Sequence, residues 1–321
     1  MSAFEFSPHH YSVLYQETLA GLNLKVDGHY IDGTLGAGGH SYGILERTAP
    51  EGKLLGLDAD PVALALASER LKPFGTRVRI VPSNFAQIFE VAQREGFVPA
   101  DGVVLDLGLS SMQLDDRERG FSFQGDGPLD MRFGEIQGEL TAAEIVNRWS
   151  EERLVKLFFE LGEEPQARRL ARAIGEARRV QPLETTGQLA AVLEKAGGGR
   201  AAGRTKRPIH PATRVFQALR MEVNHELERL AQGLEGALQT LGPGGRLAVI
   251  SFHSLEDRVV KRFIQHEASD KNILPDTPIS LALPKTPTLR PITKKPQVAG
   301  LQEESENRRS RSAKLRVAEK W

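Results

Sequence analysis

Four short apolar runs, spread over the first third of the chain and separated by stretches of helical pattern, restrict the fold more than any other feature of the sequence. They are His29-Tyr-Ile-Asp32, Lys53-Leu-Leu-Gly-Leu-Asp58, Arg77-Val-Arg-Ile-Val81 and Gly102-Val-Val-Leu-Asp106. Each is rich in Ile, Val or Leu and ends near Asp, Gly or Pro, the pattern of a parallel strand buried on both faces. Between them Ser41–Arg47, Pro61–Leu71 and Phe85–Glu95 are compatible with helices. Pro61 directly after Asp60 suits the first helical position, where the missing N–H has no partner to lose. Strand and helix in alternation give an α/β fold with a mostly parallel, doubly wound sheet.

The rhythm then stops. Residues 112–140 are rich in Gly, Asp and Arg, and Thr141–Ala196 reads as four helices: Ala142–Trp149, Glu151–Leu161, Pro165–Arg178 and Thr185–Ala196. Gly197-Gly-Gly-Arg200 opens a basic loop that ends near Pro208. With no strand candidate in this span, an inserted all-helical domain is expected over 112–209, within a core formed by 1–111 and 210–321. Beyond it, apolar residues stepping by three and four from Phe216 to Leu241 predict one long amphipathic helix over 212–241. Arg246–Phe252 reads as a further buried strand, Leu255–Glu267 as a helix, 271–300 as irregular and Pro-rich, and Ala313–Ala318 as a last, edge strand.

Composition narrows the chemistry. The 321 residues can bury a sizeable core, and none is cysteine. Disulfide frameworks, Cys-ligated zinc, iron–sulfur clusters and thiol nucleophiles are therefore excluded, including a cysteine adduct to a pyrimidine ring. His9 and His10 are adjacent, and no H-x-x-x-H or H-E-x-x-H occurs, so no metal site is expected. No apolar run reaches the roughly 18–20 residues of a membrane span, and Met1–Leu24 lacks the pattern of a signal peptide. A cytoplasmic protein with no membrane association is the expectation.

The chemistry-bearing segment is Asp32-Gly-Thr-Leu-Gly-Ala-Gly-Gly-His40, between a strand and a helix. Glycines let the backbone turn sharply and approach a ligand, and Asp58 ends the next strand, about 20 residues on, where a carboxylate meets ribose hydroxyls. The plain alternative is a Gly-rich turn with no ligand. Gly36-Ala-Gly38-Gly-His-Ser41 lacks the third glycine of the dinucleotide fingerprint, and no phosphate loop of the G-K-[ST] kind is present. Asp32 before the glycines and Asp106 at the fourth strand end would repel a pyrophosphate and suit a cation. The amino acid ammonium of S-adenosylmethionine fits that charge, so this is the expected cofactor.

Several longer stretches carry a resemblance. They are Asp106-Leu-Gly-Leu-Ser-Ser-Met-Gln-Leu-Asp115, Arg119-Gly-Phe-Ser-Phe123, Asp126-Gly-Pro-Leu-Asp-Met-Arg132, His210-Pro-Ala-Thr-Arg214, Phe216-Gln-Ala-Leu-Arg220, Ile250-Ser-Phe-His-Ser-Leu-Glu-Asp-Arg258 and Asn307-Arg-Arg-Ser-Arg-Ser-Ala-Lys-Leu-Arg316. With Asp32–His40 they closely resemble, in order and over nearly the whole chain, the MraW family of ribosomal RNA small-subunit methyltransferases. The resemblance implies a Rossmann-like methyltransferase core with an inserted helical domain. It implies methyl transfer from S-adenosylmethionine to the exocyclic N4 of a cytidine in the decoding region of bacterial 16S ribosomal RNA, on an assembled or nearly assembled small subunit. It also implies that Gly38, Gly39 and His40 belong to the cofactor loop and that Asp58 holds the ribose. On the same basis Phe85 packs on the adenine, and Asp106 and Gln113 complete the cofactor set. Met112, Arg308 and Ser310 depart from the family pattern of proline, proline and alanine, and Tyr15 stands where an apolar residue is usual.

Cytosine N4 is a poor nucleophile, so an acceptor for its proton is needed. The D/N-P-P-Y/F tetrapeptide of many amino-methyltransferases is absent, and Asp106, Ser110 and Ser111 are candidates by position. Asp130 and His253 are candidates from loops, against plainer readings as a turn cap and as a hydrogen-bonded histidine after a strand. Phe121 and Phe123 read first as core and second as a platform for a flipped base. The net charge of zero hides opposed blocks: +7 over Pro165–Arg207, +6 over Lys285–Trp321 and −9 over Asp101–Glu164. Two basic stretches favour an RNA substrate, with Arg204, Lys206 and Arg207 as contacts, over a small-molecule or protein methyltransferase. The intact set of Asp32, Gly36, Gly38, Asp58 and Asp106 favours catalysis over a non-catalytic RNA-binding factor.

Overall fold

The structure, a computed structural model, describes residues 12–110, 113–114, 116–134, 140–197, 210–272 and 283–321. The chain divides into two compact units, Met1–Gly108 with Leu227–Trp321, and Leu109–Glu226. In chain order the first unit begins with α1 (Tyr15–Leu22), β1 (His29–Asp32), α2 (Gly39–Arg47), β2 (Lys53–Asp58), α3 (Pro61–Leu71), β3 (Val78–Pro82), α4 (Ile88–Arg94) and β4 (Ala100–Asp106). The second unit contributes α5 (Ala142–Arg148), α6 (Glu151–Glu160), α7 (Ala167–Val180), α8 (Thr186–Gly197) and α9 (Pro211–Val223). The chain continues with α10 (Glu226–Thr240), β5 (Leu241–Ser251), α11 (Ser254–Glu267), β6 (Lys271–Asn272), β7 (Leu283–Pro284), β8 (Leu289–Pro291), α12 (Leu301–Glu306) and β9 (Lys314–Lys320).

The first unit is a seven-stranded sheet in the order β3-β2-β1-β4-β5-β9-β8, with β6 and β7 paired separately. The five strands from β3 to β5 are parallel. Alternate residues point to opposite faces, and the packing follows that period. Ile31, Val103, Leu105, Leu247 and Val249 join Ile88, Leu230, Leu234 and Val260 in one core. Tyr30, Val104, Ala248 and Ile250 join Leu19, Leu22, Ile44 and Leu71 in the other. The strands read as continuous apolar runs because both of their faces are covered. The fold is α/β, mostly parallel and doubly wound, with an inserted helical unit. No helix among the described residues is long and apolar enough to cross a membrane.

Two expectations fail at the C-terminal side. β9 is not the edge strand, because β8 pairs antiparallel on its outer side from Leu289↔Lys320 to Pro291↔Ala318. The single helix expected over 212–241 is two helices, broken at Asn224 and at His225, whose φ is +48°. The break has a side-chain cause within the helical unit. Buried Asn224 donates from Nδ2 to the carbonyls of Met131 (2.7 Å) and Arg220 (2.8 Å), and its Oδ1 accepts the Phe133 N–H at 2.8 Å. Asn224→Ala leaves these groups unmet in the interior and is expected to cost about 2–4 kcal/mol. A denaturant midpoint unchanged from the parent chain would contradict that account.

The helical unit buries one core of its own, from Leu109 and Phe121 through Ile145, Leu157, Leu170 and Ile174 to Val215, Phe216 and Leu219. Its helices start on identifiable caps. Thr141 and Glu144 form a reciprocal capping box, and Ser150 caps α6 through the Arg153 N–H. By packing, the segment from His210 to Glu226 falls in this unit.

Candidate functional site

The strand order fixes where a site can form. From β1 the chain runs outward to β2 and β3, then returns to the other side of β1 as β4. The ends of β1 and β4 therefore flank the crevice where ligands bind in doubly wound sheets. Asp32 ends β1, Asp106 ends β4 and Asp58 ends β2, so three carboxylates lie along one sheet edge.

The loop between β1 and α2 is held by those acids. Gly36 and Gly38 have φ of +52° and +76°, which an L side chain adopts only with strain. Gly39 is crowded instead, since a Cβ there would come within 2.1 Å of Ser12 Oγ. Asp58 accepts the Gly36 N–H at 2.8 Å and the Asp60 N–H at 2.9 Å. Asp60 in turn caps α3 through the Val62 N–H, with Pro61 at the first position. Asp32 accepts the Ser41 hydroxyl at 2.7 Å and the Thr34 N–H at 3.2 Å. The Leu35 and Gly38 amides donate to the carbonyls of Leu57 and Leu35. The amides of Thr34, Leu35, Gly36 and Gly38 are thus spent within the protein.

Asp106 is the exception among the three acids. Its N–H donates to Thr34 Oγ1 at 2.6 Å, and its Oδ2 lies 3.9 Å from His40 Nδ1. Its Oδ1 is buried with no hydrogen-bond partner among the described residues. Such a group is costly unless something meets it. Burial pushes Asp106 up to about 7, against the charge of Arg309 and helped by Asp32 and Glu256. Burial likewise pushes Asp32 up to about 6 and raises Asp58 above the usual carboxylate range. Burial pushes His40 down to about 4, so its ring is neutral near pH 7. That ring is 4% exposed, lies 3.2 Å through Nε2 from the Val13 carbonyl and stacks against Tyr15. Phe85 is half-buried beside the glycines at 33 and 233, where a Cβ on Gly233 would meet its ring at 2.4 Å.

Of the other candidates, His253 follows β5, whose Ile250 pairs in register with Asp106. His253 caps α11. Its Nδ1 accepts the Glu256 N–H at 3.3 Å, and its Nε2 lies 3.0 Å from Glu256 Oε1. Nδ1 is thus spent on the cap, while Nε2, for all its nearness to that carboxylate, is buried and makes no hydrogen bond among the described residues. Asp130 belongs to the helical unit and is chelated by Arg132, which donates from Nε at 2.8 Å and from Nη2 at 2.6 Å. Burial works to raise Asp130, but Arg132 outweighs it and holds the carboxyl below its usual range. Gln113, also in that unit, exchanges hydrogen bonds with Ser110 at 3.0 and 3.2 Å. Phe121 is buried and Phe123 stacks on His210 at 4.9 Å, both within the helical core. Ser111, Met112, His9, His10, Arg204, Lys206 and Arg207 lie outside the described residues.

Thr34, Ser41 and Arg309 were not singled out from the sequence. Thr34 stands inside the quoted glycine segment, where its hydroxyl ties the β1 loop to β4. Arg309 stood among the basic residues of the tail, and much of that tail's charge is internal. Arg316 and Lys314 meet Asp257 at 2.7 and 3.2 Å, Arg290 meets Glu319, and Lys285 meets Glu267 at 3.4 Å. Lys320 donates to the Leu238 carbonyl at 2.9 Å.

Comparison with known proteins gives a consistent answer. The pattern of the MraW methylase family matches residues 7–321. The chain is 51% identical over 311 residues to the ribosomal RNA small subunit methyltransferase H of Dehalococcoides mccartyi, covering 97% of this chain and 86% of that protein. It is 49% identical over 312 residues to the protein of the same name from Symbiobacterium thermophilum, covering 97% and 96%. A solved SAM-dependent O-methyltransferase from Thermotoga maritima aligns with a TM-score of 0.40 at 10% identity, over 97% of this chain and 66% of that one. A likeness that distant adds nothing to the fold described above.

Proposed function

The chain belongs to the MraW methylase family, and on that premise we propose that it methylates small-subunit ribosomal RNA, its target being the exocyclic N4 of a cytidine in the decoding region. The transfer is direct and in line, with no covalent adduct to the protein. The substrate is the RNA of an assembled or nearly assembled small subunit. We assign the cofactor to the sheet-bearing unit and the RNA to the helical insertion.

The cofactor is S-adenosylmethionine, and the acidic sheet edge fits it. Three carboxylates along the edge disfavour phosphates and favour a cationic amino acid joined to a nucleoside. When bound, S-adenosylmethionine supplies a methyl group made electrophilic by the sulfonium. In this reading Asp58, with lone pairs beyond those given to Gly36 and Asp60, holds the ribose hydroxyls. Phe85 packs on the adenine. The backbone of Gly36, Gly38, Gly39 and His40 shapes the loop, and Asp32 fixes it through Ser41 and Thr34. The place of Gln113 in the cofactor set rests on the family pattern alone.

The observation that carries the chemistry is the unmet Oδ1 of Asp106. An acceptor there withdraws the N4–H, concentrates the nitrogen lone pair and takes the proton as the N–C bond forms. A carboxyl raised to about 7 is matched to that task at neutral pH. Asp130 is chelated by Arg132, and His253 spends Nδ1 on a helix cap although its Nε2 is also unmet.

Labelled S-adenosylmethionine incubated with the protein and small subunits lacking the modification is expected to yield N4-methylcytidine in the ribosomal RNA, read by nucleoside mass spectrometry. Label on protein, on another nucleoside or on nothing would overturn this reading.

A further inference from the structure

Resting on that reading of an RNA substrate, we propose that the exposed arginine stripe of α7 is the surface on which the helical unit grips an RNA phosphate backbone. α7 buries Ala167, Leu170, Ala171, Ile174 and Gly175 on one side. Flanking that face, Arg168, Arg169, Arg172 and Arg179 are exposed. At 100° per residue, Arg168, Arg172 and Arg179 fall within an arc of about 40° and along roughly 16 Å of helix. A helical strand carries one phosphate per roughly 3.4 Å of axis, so the row faces several in succession.

These side chains are not there for the helix. Arg168 and Arg169 sit in its first turn, which carries no acidic residue, and cations at that end oppose the helix dipole. Arg168, Arg169 and Arg179 form no ion pair among the described residues. Arg172 has only Glu176, at 3.0 Å in an exposed i,i+4 pair that is weak in water and readily exchanged. The guanidinium fork matches phosphate oxygens two at a time, which four lysines would not do. A shallow groove of about 300 Å³ opens at the C-terminal end of the stripe, lined by Val180, Pro182, Leu183 and Val192. Val180 is 90% exposed beside Arg179. An apolar hollow at the end of a cationic row suits a nucleotide, with its apolar base and sugar faces, better than a run of acidic side chains. The tail of the sheet-bearing unit, by contrast, spends Lys285, Arg290, Lys314 and Arg316 on internal carboxylates.

The test is the salt dependence of binding to a protein-free transcript of the decoding region, for the full chain and for R168Q/R169Q/R179Q. The slope of log affinity against log salt is expected to fall in magnitude by about 2, at about 0.7 for each phosphate no longer neutralised. Affinity near 0.1 M salt is expected to fall at least tenfold, with KM for RNA raised and kcat within twofold. The charge-preserving R168K/R169K/R179K is expected to keep the parent slope. If the triple Gln variant does not fold, R179Q alone is read, with an expected slope change of about 0.7. An unchanged slope overturns the proposal. So does lost binding to assembled small subunits with an unchanged slope on the transcript, which would set the stripe against a protein. A parent enzyme that binds the RNA with this slope but leaves no methyl group on it refutes the proposed function and not the stripe.

Discussion

Asp106→Asn is expected to lower the rate of methyl transfer by about 10²–10⁴-fold. The substitution keeps the size of the side chain and its place beside Thr34 and His40, and removes only the capacity to take a proton. The parent enzyme should respond to pH accordingly. Below a carboxyl value of about 7 the rate falls tenfold per unit as Asp106 protonates, and above it the rate levels off. The variant should show no such limb. Stability is expected to move the other way. The folded chain holds the Asp106 proton more tightly than the unfolded chain does. Its contribution to stability is therefore fully present below the unfolded value near 4 and is lost as pH rises through about 7. At pH 8 the parent keeps a poorly solvated charge that the variant lacks. Asp106→Asn should then be the more stable by about 1–3 kcal/mol, and the difference should vanish below about pH 4. A variant retaining more than a tenth of the parent rate would take Asp106 out of the proton step.

Asp58→Ala should weaken S-adenosylmethionine binding about 10- to 100-fold, measured by calorimetry below the unfolding range. The carboxylate does two jobs in this reading, meeting the ribose and fixing the loop through the Gly36 N–H. Deleting it removes a charged acceptor and leaves the Gly36 and Asp60 amides without theirs, so a stability loss of about 1–3 kcal/mol accompanies the affinity loss. Asp58→Asn, which keeps one acceptor oxygen, should fall between the two. Equal affinity in all three proteins would move the ribose site away from β2.

Much of the sheet and of its acidic edge was legible because the signals are local. Apolar runs ending in Asp32, Asp58 and Asp106 state both where the strands lie and where they stop. The Asp60-Pro61 pair marks the start of α3 to the residue. What escaped depends on partners distant in sequence. The apolar stripe runs smoothly through 224, and nothing near Asn224 announces that its amide will bond to Met131 and Phe133, some ninety positions earlier. The short β8 was hidden in a Pro-rich stretch whose pairing only β9 supplies. Charge counted along the tail could not show that Asp257 sits opposite Lys314 and Arg316. Thr34 lies within the glycine segment, but a hydroxyl there has many roles, and only the approach of β4 selects one.

The helical unit is one continuous stretch, 109–226, whereas the sheet is assembled from both sides of it and closes through β5 with β9. During synthesis the insertion is therefore complete while two long strands have still to emerge. The nascent chain can fold this module early, but the C-terminal half of the sheet must wait for the residues of β9. Until then Leu315, Val317 and Ala318 are missing from both hydrophobic layers. Translation cut short before residue 314 should thus release a chain with a folded insertion on an open, sticky sheet, a form marked for chaperones or proteolysis rather than for work.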